Sequence, residues 1–299
     1  MKSLSFFRLA GSLAAAFLLQ LPAAAAPKPN FIFFLIDDLG QRDLGCYGSK
    51  FYRTPHLDRM ATQGMKFTDA YAACPVCSPT RASVITGQWP QRTGITDYIG
   101  APRRPEDWKR NTRSLPAPYE DRLALDRPTV AKSLKAAGYA TFFAGKWHLG
   151  PEGWWPENQG FDVNMGGNEK GGPYGGKRYF SPYGNPRLTD GPEGEHLPDR
   201  LSTEAVKFMR AKRDQPFLVY FPFYSVHTPL MARPDLQRKY EEKRARLGLE
   251  AKWGREHERD VRLVQEHAVY AGMVEAMDLA GDFMDATGDA QASCVGSSP

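Results

Sequence analysis

The chain has 299 residues, 41% of them hydrophobic and 24% charged, with four cysteines and a formal net charge of +5. That length allows one large α/β domain or two small ones, and the composition is ordinary for a soluble globular protein. The mild positive excess suits anionic substrates but gives no ground for a nucleic-acid partner. The loose basic group Arg103, Arg104, Lys109, Arg110 and Arg113 reads as a solvated loop with no interleaved aromatics for base stacking.

At the start, Lys2 and Arg8 precede a largely apolar, uncharged run over residues 9–21, and Ala23 to Ala26 offer small-residue cleavage sites before Pro27. This is the pattern of a secretory signal peptide over residues 1–26. The run is too short for a comfortable membrane span, so no stable membrane insertion is expected after cleavage, and the mature chain is expected to be secreted or periplasmic.

Asn30-Phe31-Ile32-Phe33-Phe34-Leu35-Ile36 is apolar on both faces and stops at Asp37-Asp38. Such a run predicts a central strand of a buried sheet. Adjacent acids at its C-terminal end point to a ligand site, because buried carboxylates are costly unless paired or bound to a cation. Oxygen ligands suit a hard cation, calcium or magnesium. Thr54-Pro55-His56-Leu57-Asp58 predicts a short helix opening on proline, with His56 at the surface, and residues 65–71 read as a short strand.

Cys77-Ser78-Pro79-Thr80-Arg81-Ala82-Ser83-Val84-Ile85-Thr86-Gly87 predicts a helix with proline in its first turn and glycine at its end. Cys77 then stands at the helix N-terminus, where backbone N–H groups favour an anion and acidify a thiol. Arg81 lies one turn along the same face and adds positive charge. Cys74-Pro75-Val76-Cys77 is also a C-x-x-C, which alone could be a redox pair; without a second such pair it is a weak zinc signal.

An amphipathic helix is expected over residues 127–137, closed by Gly138, then a strand over residues 139–144. Gly145-Lys146-Trp147-His148-Leu149-Gly150 follows, and on extended chain Lys146 and His148 would face the same way. Residues 151–198, rich in Gly, Pro and Tyr, read as a long substrate-facing lid with His196 at its surface. A helix is expected over residues 203–213 and a buried strand over residues 216–223, ending at Tyr224-Ser225-Val226-His227-Thr228-Pro229. Residues 257–285 read as helix, and the small, polar tail after Asp285 shows no strand pattern.

Cys77-Ser78-Pro79-Thr80-Arg81 with Thr86-Gly87 resembles the signature of the type I sulfatases, the arylsulfatase-like enzymes of the alkaline phosphatase superfamily. Gly145-Lys146-Trp147-His148-Leu149-Gly150 is similar to their second motif. The resemblance runs from Asn30 to Leu279. It implies an α/β fold, an alkaline-phosphatase-like sandwich with a large mixed sheet between helices. It also implies oxidation of Cys77 to formylglycine by a formylglycine-generating enzyme, the hydrated aldehyde being the nucleophile. By the same resemblance Asp37, Asp38 and the modified Cys77 hold calcium, Lys146 contacts formylglycine and sulfate, and His148 hydrogen-bonds the formylglycine. Arg81 helps position the nucleophile, and His227 binds the sulfate of a sulfated small molecule or carbohydrate.

Two features depart from the family pattern. No Asp-Asn pair, which completes the family's calcium site, occurs in the chain, and nothing matches the family's C-terminal part. The expected organisation is therefore a signal peptide over residues 1–26, a partial sulfatase catalytic domain over residues 27–285 and an atypical tail over residues 286–299, with the sheet incomplete at the C-terminus. Three rivals to sulfate-ester hydrolysis stand beside it: an inactive secreted remnant lacking part of the metal site, a phosphate-ester hydrolase of the same superfamily, and a thiol-redox protein using Cys74 and Cys77.

Overall fold

The computed structural model describes residues 28–109, 112–174, 179–282 and 291–296, the last of these as backbone. The expected signal peptide and Arg110 lie outside the described residues.

Three apolar runs become the centre of a five-stranded sheet. They are β1 (Phe31–Ile36), β2 (Ala140–Ala144) and β4 (Phe217–Pro222), joined by β3 (Val163–Met165) and β7 (Gln291–Gly296) in the order β3-β2-β4-β1-β7. Every pairing in it is parallel. The mixed sheet expected from the sequence is thus, among the described residues, a parallel one. Antiparallel pairing is confined to a separate hairpin, β5 (Trp253–Glu256) with β6 (Arg259–Arg262).

Alternation along each strand sorts the core into two layers. Ile32, Phe34 and Ile36 of β1, Phe142 of β2 and Phe217, Val219 and Phe221 of β4 share one face. Helices α5 (Leu197–Ala211) and α7 (Ala268–Ala280) cover that face with Leu201, Ala205, Phe208, Met273 and Met277. Phe33, Phe143, Leu218 and Tyr220 share the other face, where α2 (Cys77–Thr86) brings Ala82 and Ile85 and α4 (Val130–Ala136) brings Ala131. Continuous hydrophobicity was needed because both faces are buried. The remaining helices, α1 (Pro55–Gln63), α3 (Pro90–Thr93) and α6 (Pro234–Arg246), pack around this sandwich.

Helix boundaries follow local chemistry. Gly87 ends α2 in the left-handed conformation, φ 68°, which glycine adopts without a Cβ clash. Thr129 caps α4, its hydroxyl accepting from the Lys132 amide.

Four expectations are corrected. Residues 65–71 form no strand: Met65, Phe67 and Tyr71 are exposed, and the segment is tied down by Tyr47 donating to the Phe67 carbonyl. Helix α5 starts at Leu197 rather than Thr203, because Pro198 suits a first turn and Leu197, Leu201, Ala205 and Phe208 continue the buried stripe upstream. Residues 257–285 are not one helix: the chain turns at His257, φ 51°, into the hairpin, and α7 begins only where the His267 side chain accepts from the Tyr270 amide. The tail, expected to lack strand pattern, supplies β7, which pairs along the whole of β1. The open edge of β1 otherwise presents a row of unpaired N–H and C=O groups, and backbone pairing fills it regardless of side-chain pattern.

Candidate active site

The C-terminal ends of β1, β2 and β4 lie side by side, the place where parallel sheets bind ligands. From β1 come Asp37 and Asp38, from the turn after β2 Lys146 and His148, and from the loop after β4 His227. Gly145 makes this convergence possible. At φ 125° a Cβ there would lie 1.9 Å from the Pro222 carbonyl oxygen, so only glycine lets the ends of β2 and β4 meet. The Lys146 amide then donates to that same carbonyl at 2.8 Å.

Asp37 is buried and sits between two buried cations. The Lys146 ammonium donates to its Oδ2, and the Arg81 guanidinium lies 3.3 Å from the same oxygen. Burial works against ionisation, but Arg81 and Lys146 outweigh it and hold the Asp37 carboxyl below the usual range. Arg81 also donates to the Lys146 carbonyl at 2.7 Å. It is thus a buried brace linking α2 to the turn after β2, rather than a charge presented to solvent.

Lys146 and His148 were expected to face alike on extended chain. The turn is not extended: His148 has φ 57°, and its ring leaves in a direction of its own. His148 Nε2 lies 2.8 Å from the Ile99 carbonyl, which can only accept, so the proton sits on Nε2. Nδ1 is then a bare acceptor, buried and without a well-aligned partner. The Ser78 hydroxyl secures this arrangement, donating to the His148 carbonyl and accepting from the Ile99 amide, both at 3.0 Å.

The Cys77 thiol is where these groups meet. It is the first residue of α2, behind an extended Val76 cap. Burial opposes its ionisation, yet the closeness of His148 and His227 and the charge of Lys146 bring it down to about 5. His227 moves the other way: burial lowers it, but its closeness to Cys77 leaves it raised overall. His227 Nδ1 lies 2.7 Å from the Thr228 carbonyl, and Nε2 lies 3.8 Å from Asp38 Oδ2. Asp38 is more exposed than its neighbour and holds a positive φ of 58°.

Every sequence-derived site residue therefore sits at one place. Sequence reasoning missed Ser78, Ile99 and Tyr174, whose ring stands edge-on to His227 with centroids 6.0 Å apart. Cys46, Cys74 and Cys77 are free, so the disulfide that a redox pair requires is not formed. His56, expected at the surface, is half-buried and 2.5 Å from Asp282. His196, also expected at the surface, is buried against Tyr179 and Phe180.

Asp37, Cys77 and His227 each place a potential metal-ligand atom within 4.8 Å of the others. The donor set of carboxylate, thiol and imidazole is mixed. With an oxygen in place of the Cys77 sulfur, and with the adjacent Asp38, it leans towards a hard cation. These residues furnish only part of the six to eight oxygens calcium takes.

A parallel sheet with a helix N-terminus, two imidazoles and two buried cations gathered at its carboxyl edge places the chain among α/β proteins whose ligand site lies at that edge. The family model Sulfatase matches residues 29–286, and the chain belongs to the sulfatase family. Over 132 residues it is 44% identical to steryl-sulfatase of Mus musculus, covering 43% of this chain and 19% of that protein. Over 230 residues it is 35% identical to N-acetylgalactosamine-6-sulfatase of Sus scrofa, covering 71% of this chain and 42% of that one. The crystal structure of Ps i-CgsB in complex with k-i-k-neocarrahexaose aligns at a TM-score of 0.64 with 28% identity, over 87% of this chain and 55% of that chain. The chain thus spans less than half the length of these two curated relatives, and its fold is part of the alkaline-phosphatase-like fold of sulfatases of known structure.

Proposed function

We propose that this protein hydrolyses sulfate esters, with the nucleophile made from Cys77. The observation that carries the reading is the convergence of His148, His227, Lys146 and Asp37 on one thiol at a helix N-terminus. A formylglycine-generating enzyme would convert Cys77, and the modified side chain supplies an oxygen nucleophile at a position already surrounded by proton carriers. Calcium, held by Asp37, Asp38 and the oxygen at position 77, would supply Lewis-acid stabilisation of negative charge.

The chain's own residues do the rest. His148 Nδ1, a bare acceptor, takes the proton from the attacking group at position 77. The Lys146 ammonium, buried against Asp37, places a fixed charge next to the reacting centre. His227, whose affinity for protons is raised, holds one for the departing alcohol oxygen. Arg81 positions Lys146 through its carbonyl and does not itself reach the ester. The named relatives and the carbohydrate complex of the structural neighbour support a sulfated small molecule or carbohydrate as substrate, and the leader-like N-terminus supports a secreted or periplasmic location. The residues meeting at position 77 give no support to a phosphate-ester reading, which calls for Ser or Thr there.

The test is mass spectrometry of the Cys77 peptide after coexpression with a formylglycine-generating enzyme, paired with turnover of an aryl sulfate in calcium. Conversion to the aldehyde, turnover by the native chain and loss of at least about 1000-fold in Cys77→Ala are expected. Undiminished turnover by Cys77→Ala would sink the reading.

A further inference from the structure

The loop that carries His227 is held by a residue outside the reacting groups. Residues 224–227 form a tight turn in which the His227 amide donates to the Tyr224 carbonyl at 3.1 Å. One side of this turn is tied to the end of β1, where the Val226 amide donates to the Asp37 carbonyl at 3.0 Å. The other side is tied to Tyr179. Its hydroxyl shares its single proton between the Tyr224 carbonyl at 2.8 Å and the His227 carbonyl at 2.9 Å, the two ends of the turn.

Tyr179 is itself firmly seated. Its side chain is fully buried in the core, with the ring against His196. Its own carbonyl accepts from the Leu197 amide at 2.9 Å, which anchors it to the start of α5. Burial, aided by the charge of Asp37, pushes the phenol well above its ordinary value, so the hydroxyl keeps its proton and remains a donor. The consequence falls on the His227 ring, which departs from the backbone that this hydroxyl holds. Nδ1 lies 2.7 Å from the Thr228 carbonyl and Nε2 faces Asp38 Oδ2 at 3.8 Å. Proton transfer needs a ring nitrogen within hydrogen-bond reach of the oxygen it serves, and a displacement of about 1 Å costs on the order of 100-fold in rate.

We propose that Tyr179 is a positioning residue: its hydroxyl clamps the two ends of the 224–227 turn and so aims His227 at the departing alcohol oxygen. The target of His227 rests on the sulfate-ester reading; the clamp on the turn does not.

The experiment is Tyr179→Phe, which removes one oxygen and keeps the ring against His196. Kinetics on chain coexpressed with a formylglycine-generating enzyme compare nitrophenyl sulfate, whose phenolate leaves without a proton, with phenyl sulfate, whose more basic phenolate needs one. For phenyl sulfate kcat/KM is expected to fall about tenfold or more, and for nitrophenyl sulfate less than about threefold. On a His227→Gln background the same change should cost either ester less than about threefold, because the residue through which Tyr179 acts is gone. Equal losses for the two esters, or an undiminished loss on that background, would overturn the assignment. Hydrogen exchange is read on the same preparations. The His227 amide should exchange at least about tenfold faster in Tyr179→Phe than in the native chain, while the Val219 and Tyr220 amides of β4 keep their protection and report an intact fold. Unchanged protection at His227 removes the clamp whatever the kinetics. Faster exchange there, in a chain whose native form turns over neither ester, supports the clamp and counts against the hydrolytic reading alone.

Discussion

His148 occupies the left-handed backbone region at φ 57°, which is uncommon for residues other than glycine, although asparagine, aspartate and histidine enter it more readily than most. The strain is supported on three sides: Ser78 holds its carbonyl, the Ile99 carbonyl holds Nε2, and Gly171 leaves room for the ring. Such over-determined strain is characteristic of functional positions. Asparagine tolerates the same backbone, so His148→Asn should keep the fold while removing the acceptor nitrogen. The expected result is a fall in kcat for an aryl sulfate of about 100-fold or more with little change in KM. An unchanged kcat would show that the ring only fills space. The sequence placed His148 and Lys146 at the site but not their directions. Those depend on Ser78, Ile99 and Asp37, which lie far along the chain and reach the turn only through the fold.

At the scale of elements, what could be read locally was read well. β1, β2 and β4 were visible because a strand buried on both faces needs an unbroken apolar run, and α2 was bracketed by Pro79 and Gly87. What escaped was set by distant partners. Helix α1 illustrates this. Thr54 stands at its N-cap position, but its hydroxyl is engaged with Asp58 and the Gly45 amide. The amides of the first turn are capped from α7 instead. Asp278 accepts from His56 N at 3.1 Å and from Leu57 N at 2.9 Å. No local pattern signals a cap that arrives from so far along the chain. Asp278→Ala leaves a buried and a part-buried donor unpaired and should cost about 2–3 kcal/mol in urea denaturation. A loss below about 0.5 kcal/mol would mean water or a local rearrangement replaces the cap.

For the whole molecule, two buried titratable groups outside the site, His196 and Asp278, set opposing responses to acid. His196 has no hydrogen-bond partner at either ring nitrogen. Burial, reinforced by the charge of Arg233, drives its pKa down to about 3. Unfolding therefore takes up a proton at any pH between that value and the ordinary 6.5, so stability falls as pH drops below 6.5 and continues to fall towards 3. Asp278 acts in the opposite sense. Burial outweighs its two amide bonds and raises it to about 6, so the folded state gains a proton first, and stability recovers as pH falls from 6 towards 3.8. Asp37, held below 3.8, contributes stability that is lost only at still lower pH.

Between pH 7 and pH 5 the His196 contribution is a loss of about 2 kcal/mol and the Asp278 contribution a gain of about 1 kcal/mol. A phenyl ring of similar shape between Tyr179 and Phe180 removes the first and keeps the second. His196→Phe should therefore equal or exceed the native chain at pH 7, because an unpaired polar ring is replaced by an apolar one. At pH 5 its advantage should widen by about 2 kcal/mol in urea denaturation. A constant difference between the two proteins across that interval would show that His196 takes up its proton without unfolding, by turning a nitrogen to Asp199, whose Oδ2 already lies 4.0 Å from its Nδ1.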